Sequence, residues 1–375
     1  MKIAIIGSAH PLRGGGISTF NERMAEVLQQ MGHSVVIYSF SLQYPSFLFP
    51  GKSQFTDEPA PKGLEIRSVI NSINPFNWLR VGTRINNEKP DLIIVRYWLP
   101  FMGPCFGTIL RRVRKNKHTR IIAITDNVIP HEHRPGDMAF TKYFLKSADA
   151  FIAMSKDVLK DLKQFTDKPS LFSPHPVYDN YGNLVTKDEA CKHIGLSANE
   201  KYILFFGFIR KYKGLDLLLD AMKDERIKQA GIKLIVAGEF YGDKETYLSQ
   251  IQANGIADNV KLYTEFIPNE DIKYYFSASD LVVQPYRTAT QSGITQVAYH
   301  FEKPMIVTNV GGLAEVVPDG KVGFVTESDA TSIADAILKF YKQGIPDLHQ
   351  HIATEKKKYS WDTFLGNIFS VSGLK

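Results

Sequence analysis

The chain has 375 residues, a length that suits two ordinary α/β domains better than one. With 44% hydrophobic and 22% charged residues it carries enough apolar surface for packed cores, which argues against disorder. The net charge of +6 is mildly basic; it suits an anionic small molecule, an anionic membrane face or nucleic acid, and chooses none of them.

The first residues, Met1 to Gly7, read as a short strand ending at a glycine rather than as a signal peptide. No apolar run approaches the ~20 residues that span a bilayer, so a cytoplasmic protein is the expectation. Cys105 and Cys191 are the only cysteines, which supports neither a disulfide framework nor a zinc cluster.

Short β-branched runs predict strands at Lys2–Gly7, Ser34–Phe40, Asp91–Tyr97, Arg120–Asp126, Ala150–Ser155 and Ser170–His175. Between the first two, Phe20, Met24, Val27, Leu28 and Met31 recur at helical spacing, which predicts a helix over Ile17–Met31. Near-continuous hydrophobic strands separated by helices imply a parallel sheet covered on both faces. The first strand–helix junction holds Gly14, Gly15 and Gly16 ahead of Ser18 and Thr19. Its spacing is not that of the dinucleotide fingerprint. The glycines still let a ligand meet bare backbone N–H groups, where a flexible surface loop is the bland alternative.

After the fourth of these strands comes Thr125-Asp126-Asn-Val-Ile-Pro-His131-Glu-His133, dense in polar groups. Asp126 and His131 are the candidates for orienting a hydroxyl or exchanging a proton, against the alternative of a structural loop. Two histidines two apart, with no third ligand in view, do not predict a metal site. Upstream, the aromatic stretch Trp98–Phe106 precedes the basic run Arg111–Lys117. That pairing suits an anionic membrane surface, or simply a solvated helix face. No nucleic-acid recognition motif accompanies the charge, so no nucleic-acid partner is expected. The polar stretch 181–199 reads as a linker.

The second half repeats the rhythm, with strands predicted at Tyr202–Phe208, Lys233–Gly238, Val260–Phe266, Leu281–Pro285, Met305–Asn309 and Gly323–Thr326. Helices are predicted at Leu215–Met222, Glu245–Asn254, Asn269–Ser277, Ile294–Phe301 and Ala330–Gln343. The segment Gly207-Phe-Ile-Arg210-Lys-Tyr-Lys213-Gly214 joins a strand to a helix. Its glycine admits close backbone approach, Arg210 and Lys213 supply charge, and the helix start adds unpaired N–H groups: a seat for a phosphorylated ligand. An exposed basic turn would carry the same residues. Gly238 and Glu239 end the next strand, and Glu239 faces either a ligand or water. Ser292, Gly293 and Ile294 open a further helix and offer N–H groups to a phosphate, with Gln291 placed for sugar hydroxyls; ordinary helix capping is compatible with both. The tail around Trp361, Phe364, Leu365 and Ile368 repeats at helical spacing and needs a surface to bury these side chains.

Taken together these segments resemble glycosyltransferase family 4, the nucleotide-sugar enzymes of the GT-B fold. The resemblance rests on Gly14–Gly16, on Gly207 to Gly214, on Ala278-Ser-Asp280-Leu-Val-Val-Gln-Pro285, on Lys303-Pro-Met-Ile-Val-Thr-Asn-Val-Gly-Gly-Leu-Ala-Glu-Val-Val317 and on Tyr359-Ser-Trp361. It implies an α/β protein of two Rossmann-like domains with parallel sheets facing across a cleft. The acceptor domain would cover 1–180 plus a final helix at about 355–375 that crosses back to it, and the donor domain 200–350. It implies transfer of a hexose from a UDP- or GDP-sugar to a hydroxyl of a glycan or lipid-linked acceptor, with retention, without metal or further cofactor, in the cytoplasm or at its membrane face. Arg210 and Lys213 would hold the diphosphate, Gly15 and Gly16 would approach the donor phosphates, Ile267 would border the base, and His131 would lie near the transferred sugar. The family's pair of glutamates seven apart is missing here, and Gln291 and Gln296 stand in its region. An epimerase of the same architecture and a non-catalytic nucleotide-sugar binder remain the alternatives.

Overall fold

The computed structural model describes residues 1–13, 16–45, 54–56, 59–129, 134–242, 244–289 and 292–374. The chain divides into two compact units, Met1–His175 with Trp361–Lys375, and Pro176–Ser360.

The first unit is built on seven parallel strands: β1 (Lys2–Ile6), β2 (Ser34–Leu42), β3 (Glu65–Asn71), β4 (Leu92–Tyr97), β5 (Arg120–Thr125), β6 (Ala150–Ala153) and β7 (Ser170–Phe172), in the order β3-β2-β1-β4-β5-β6-β7. Helices α1 (Gly16–Gln30), α2 (Pro75–Glu88), α3 (Gly103–Val113), α4 (Asp137–Leu145) and α5 (Lys156–Lys163) alternate with them. The strands are buried on both faces. Ala4, Ile6, Ile93 and Val95 enter the core shared with Val81, Ile85, Phe106 and Phe144, while Ile3, Ile5 and Ile94 are buried on the opposite side. That double burial is why these strands read as continuous apolar runs. β3 escapes the sequence pattern because it is the edge strand: Glu65, Arg67, Ser68 and Asn71 break up its apolar residues, and most of the strand is only half-buried.

The second unit holds β8 (Lys201–Phe206), β9 (Ile232–Ala237), β10 (Val260–Tyr263), β11 (Leu281–Gln284), β12 (Met305–Thr308) and β13 (Gly323–Thr326), again all parallel, in the order β10-β9-β8-β11-β12-β13. Its helices are α6 (Lys187–His193), α7 (Leu215–Met222), α8 (Glu225–Gln229), α9 (Lys244–Ala253), α10 (Ile272–Ala278), α11 (Gly293–His300), α12 (Leu313–Val316), α13 (Ala330–Gln343) and α14 (Leu348–Lys356). The stretch read as a linker, 181–199, contains α6 and falls inside this unit. Thr186 caps α6 by accepting from the Glu189 N–H at 3.2 Å, and Lys187 Nζ reaches Asp280 Oδ1 at 2.7 Å.

The last helix, α15 (Trp361–Ser372), returns to the first unit. Its buried face of Trp361, Phe364, Leu365 and Ile368 packs beside β5, β6 and β7, and Asn367 Nδ2 donates to Ser173 Oγ at 3.0 Å. No helix among the described residues is long and apolar enough to cross a membrane.

Candidate functional site

In the second sheet β8 is followed outward by β9 and β10 on one side, and by β11, β12 and β13 on the other. Strand order reverses between the parallel neighbours β8 and β11, and a crevice outside the carboxyl ends of the strands opens at such a point. The segment 207–214 after β8 carries Arg210 and Lys213, and the segment after β11 leads to Ser292, Gly293 and Ile294 at the start of α11. They are laced together. The Arg287 N–H donates to the Tyr212 carbonyl at 2.7 Å, and a Cβ at Gly214, whose φ is +68°, would lie 2.0 Å from the Pro285 carbonyl oxygen. Only glycine fits there.

The two cations of the first loop differ sharply. Arg210 is exposed and its guanidinium lies 5.0 Å from the centroid of Tyr241. Lys213 is 9% exposed and points inward, its ammonium 5.8 Å from the centroid of Tyr286. A Cβ at Gly207, where φ is +96°, would stand 3.1 Å from Lys213 Nζ and 3.3 Å from Ile294 Cδ1. The glycine therefore leaves room for the ammonium at the start of α11. Among the described residues no carboxylate lies within ion-pair distance of Lys213 Nζ. Burial, reinforced by the charge of Arg210, lowers this lysine to about 8. A buried cation without a counter-ion is costly to the free protein and gains most from an arriving anion.

α11 supplies the other half of the seat. Ser292 caps it by accepting from the Ile294 N–H at 3.2 Å, and its hydroxyl lies 3.3 Å from Tyr286 Oη. Gly293 packs against the ring of Tyr178. Gln296 is turned into the interior, 2% exposed, and its Oε1 has no hydrogen-bond partner among the described residues. Gln291 lies outside the described residues. At the end of β9, the Gly238 N–H donates to the Tyr263 carbonyl at 2.8 Å and the half-buried Glu239 accepts the Ile209 N–H at 2.8 Å through its carbonyl. Ile267 sits half-buried in the loop after β10. Thus Gly207, Arg210, Lys213, Ser292, Gly293 and Ile294 come from the two loops and helix start at the switch point, with Gly238, Glu239 and Ile267 on the β9–β10 flank. Sequence reasoning missed Tyr286 and Tyr241, the rings beside the two cations. Tyr286 stands two positions after β11 and Tyr241 four after β9, and neither place carries a local signal of what will stack on the ring.

In the first unit Gly15 and His131 lie outside the described residues, and Gly16 is the exposed first residue of α1. Asp126 is buried at the end of β5. Its carboxylate is engaged by Arg96 in a two-armed pair, Nε to Oδ2 at 2.7 Å and Nη2 to Oδ1 at 2.9 Å, with both side chains buried. The Arg96 guanidinium stacks on Phe20 at 4.2 Å, and Phe20 in turn meets Trp361 and Phe364 at 5.1 and 5.6 Å between ring centroids. Asp126 therefore closes a chain of contacts that fastens α15 to the first unit. A carboxylate held this way is poorly placed to pass protons. Among the described residues no three His, Cys, Asp or Glu side chains are grouped to hold a metal ion.

Two parallel α/β units, with a buried, counter-ion-free lysine at the switch point of the second and a terminal helix returning to the first, have the architecture of the GT-B glycosyltransferases. Family models agree along nearly the whole chain: Glycosyltransferase Family 4 matches residues 14–171 and Glycosyl transferases group 1 matches residues 186–359. The chain belongs to the family 4 type of GT-B glycosyltransferases. TuaC of Bacillus subtilis (strain 168), a glycosyltransferase whose name assigns it provisionally to teichuronic acid biosynthesis, is 23% identical over 92% of this chain and 90% of its own. A lipopolysaccharide 1,2-N-acetylglucosaminetransferase of Salmonella typhimurium is 26% identical over 47% of this chain and 49% of its own. Among solved structures, Anabaena HepE in complex with UDP-glucose superposes with a TM-score of 0.72 at 16% identity, covering both chains completely (100% of each).

Proposed function

We propose that this glycosyltransferase moves a hexose from a nucleoside-diphosphate sugar to a hydroxyl of a glycan or lipid-linked acceptor, with retention of configuration and no obligatory metal. The single observation that carries the reading is the buried, counter-ion-free ammonium of Lys213 at the start of α11. As the bond from the anomeric carbon to the diphosphate oxygen breaks, negative charge grows on the leaving group. Lys213, Arg210 and the N–H groups at Gly293 and Ile294 meet that charge without reorganising, which is preorganised electrostatic stabilisation. These groups do for the diphosphate what a bound cation does elsewhere, which is why a metal is not required. The acceptor oxygen bonds to the anomeric carbon on the face the diphosphate leaves, and its proton passes to the departing phosphate oxygen. Ile267 borders the base. Gly15, Gly16 and His131 keep the roles that the family resemblance gives them, beside the donor phosphates and the transferred sugar.

UDP-glucose bound to HepE and the glycan products named for TuaC and the Salmonella enzyme support the choice of donor and acceptor class. The test is a thermal-shift screen of UDP- and GDP-sugars, since a ligand bound only by the native state raises Tm. One class of donor should raise it in the parent and fail in Lys213→Ala. A donor whose shift survives that change, or turnover of donor to its epimer without any acceptor, overturns the assignment. Activity lost in EDTA and restored by a divalent ion would overturn the metal-free step.

A further inference from the structure

Tyr286 follows β11 by two residues and is 3% exposed, yet it carries a hydroxyl into the interior. Its backbone is pinned from the strands beyond. The carbonyl accepts Thr308 Oγ1 of β12 at 2.5 Å, and Ser328 Oγ, two residues past β13, at 3.3 Å. The next residue, Arg287, reaches back to α7, its Nη2 donating to Asp216 Oδ2 at 2.5 Å. The ring of Tyr212 meets that of Tyr286 edge-on, with 6.1 Å between centroids. A side chain fixed this firmly touches both halves of the anion seat. Its ring centroid lies 5.8 Å from Lys213 Nζ, and its hydroxyl lies 3.3 Å from Ser292 Oγ at the start of α11. Packing alone would be served by phenylalanine, since a buried hydroxyl costs free energy unless it is hydrogen-bonded.

The direction of the hydroxyl contact follows from acidity. Of two hydroxyls the phenol is the more acidic and the better donor, and burial raises its pKa above the ordinary value, so it keeps its proton. Ser292 Oγ is the one hydrogen-bond partner of the Tyr286 hydroxyl among the described residues. A serine hydroxyl has two lone pairs and one proton. One lone pair takes the Ile294 N–H at 3.2 Å, and the other faces the Tyr286 proton. Both acceptor positions are then filled from within the protein. The serine's own proton is left for an anion at the start of α11, where Ser292 is only half-buried. An anion that accepts this proton draws the Tyr286 bond tighter, because linked hydrogen bonds polarise one another. The ring acts on the other half of the seat. Arg210 repels the Lys213 ammonium, and the negative face of the Tyr286 ring favours its charged form before any ligand arrives.

We propose that Tyr286 is a positioning residue for the donor diphosphate: its hydroxyl turns the Ser292 proton toward the anion, and its ring holds the Lys213 ammonium at the start of α11. The inference rests on the donor seat proposed above. Two readouts on the full chain test it: calorimetric titration with UDP and with GDP, and NMR of protein labelled at lysine Cε, the Lys213 signal being identified by its loss in Lys213→Ala. Tyr286→Phe should weaken nucleoside-diphosphate binding about threefold in the parent and not at all in Ser292→Ala, and should leave the Lys213 titration midpoint in place. Tyr286→Leu removes the ring; it should lower that midpoint by about half a pH unit and weaken binding further. Tyr286→Met gives the same reading of the midpoint where the leucine variant fails to fold. An unmoved midpoint without the ring, no loss in Tyr286→Phe, or an equal loss in both backgrounds overturns the proposal, the last because it marks a residue that only packs. A parent that binds neither UDP nor GDP overturns the transfer reading and the hydroxyl's part with it. The ring's part is then decided by the midpoint, which needs no ligand.

Discussion

Two buried cations, one in each unit, stand in opposite circumstances. Arg96 on β4 is matched on both arms by Asp126 and stacked on Phe20, so its charge is spent inside the fold. Lys213 is as deeply placed but faces a tyrosine ring and a glycine instead of an acid. Lys303 shows that depth alone does not create the contrast. Burial also lowers it to about 8, yet its ammonium donates to the Ser279 carbonyl at 2.8 Å, at the C-terminal end of α10, and Asp280 pulls its affinity for a proton back up. A depressed lysine marks a ligand site only where the fold has left its charge unanswered.

The strongest way to break this comparison is at Asp126. Asp126→Asn should cost about 3–5 kcal/mol in chemical denaturation, because the guanidinium loses its counter-charge while it stays buried. Activity lost at unchanged stability would instead restore an acid–base role. Lys213→Ala should lower turnover on the order of 10²-fold or more and abolish the donor-induced Tm rise, while Tm without ligand holds or increases. Lys303→Ala should do the reverse, losing about 1–3 kcal/mol of stability with donor binding kept. If both lysine variants melt low and bind normally, the two sites are equivalent and the anion seat is elsewhere.

A pH series sharpens the same point. The diphosphate favours protonated Lys213, so affinity for a nucleoside diphosphate should be full below about 8 and fall, by up to about tenfold per pH unit, above it. Lys213→Ala should bind weakly with no such inflection, and calorimetric titration reads both. The linkage to folding runs the opposite way. Between about 8 and the ordinary lysine value near 10.4 the unfolded chain binds more protons at this site, so this group makes stability rise with pH across that window. The smallest effect is at Ser292. Ser292→Ala removes the cap of α11 and should cost about 1 kcal/mol in thermal unfolding, with a modest loss of donor affinity.

The strand rhythm of both units was legible because parallel strands buried on two faces leave little room for polar residues. β3 was not, since an edge strand with Glu65 and Arg67 looks like a loop. α6 reads as linker because its seven residues include Lys187, Asp188, Glu189 and Lys192, which leave no apolar stripe; in the fold only Ala190 and Cys191 are buried. The segment from Gly207 to Gly214 was legible as a cation-bearing turn, but its two cations looked alike. Asp126 looked available because its partner, Arg96, lies 30 residues away on the neighbouring strand.

The order of residues fixes by itself the alternation of strand and helix, the glycine-bearing turn after β8, and the apolar stripe of the last helix. These follow from local periodicity and backbone sterics, which need no distant partner. Which cation is buried, which carboxylate is already occupied and which aromatic side chains reach the surface depend on groups far apart in the chain. Only the packing of the sheets and helices sets the dielectric and the neighbours that decide them.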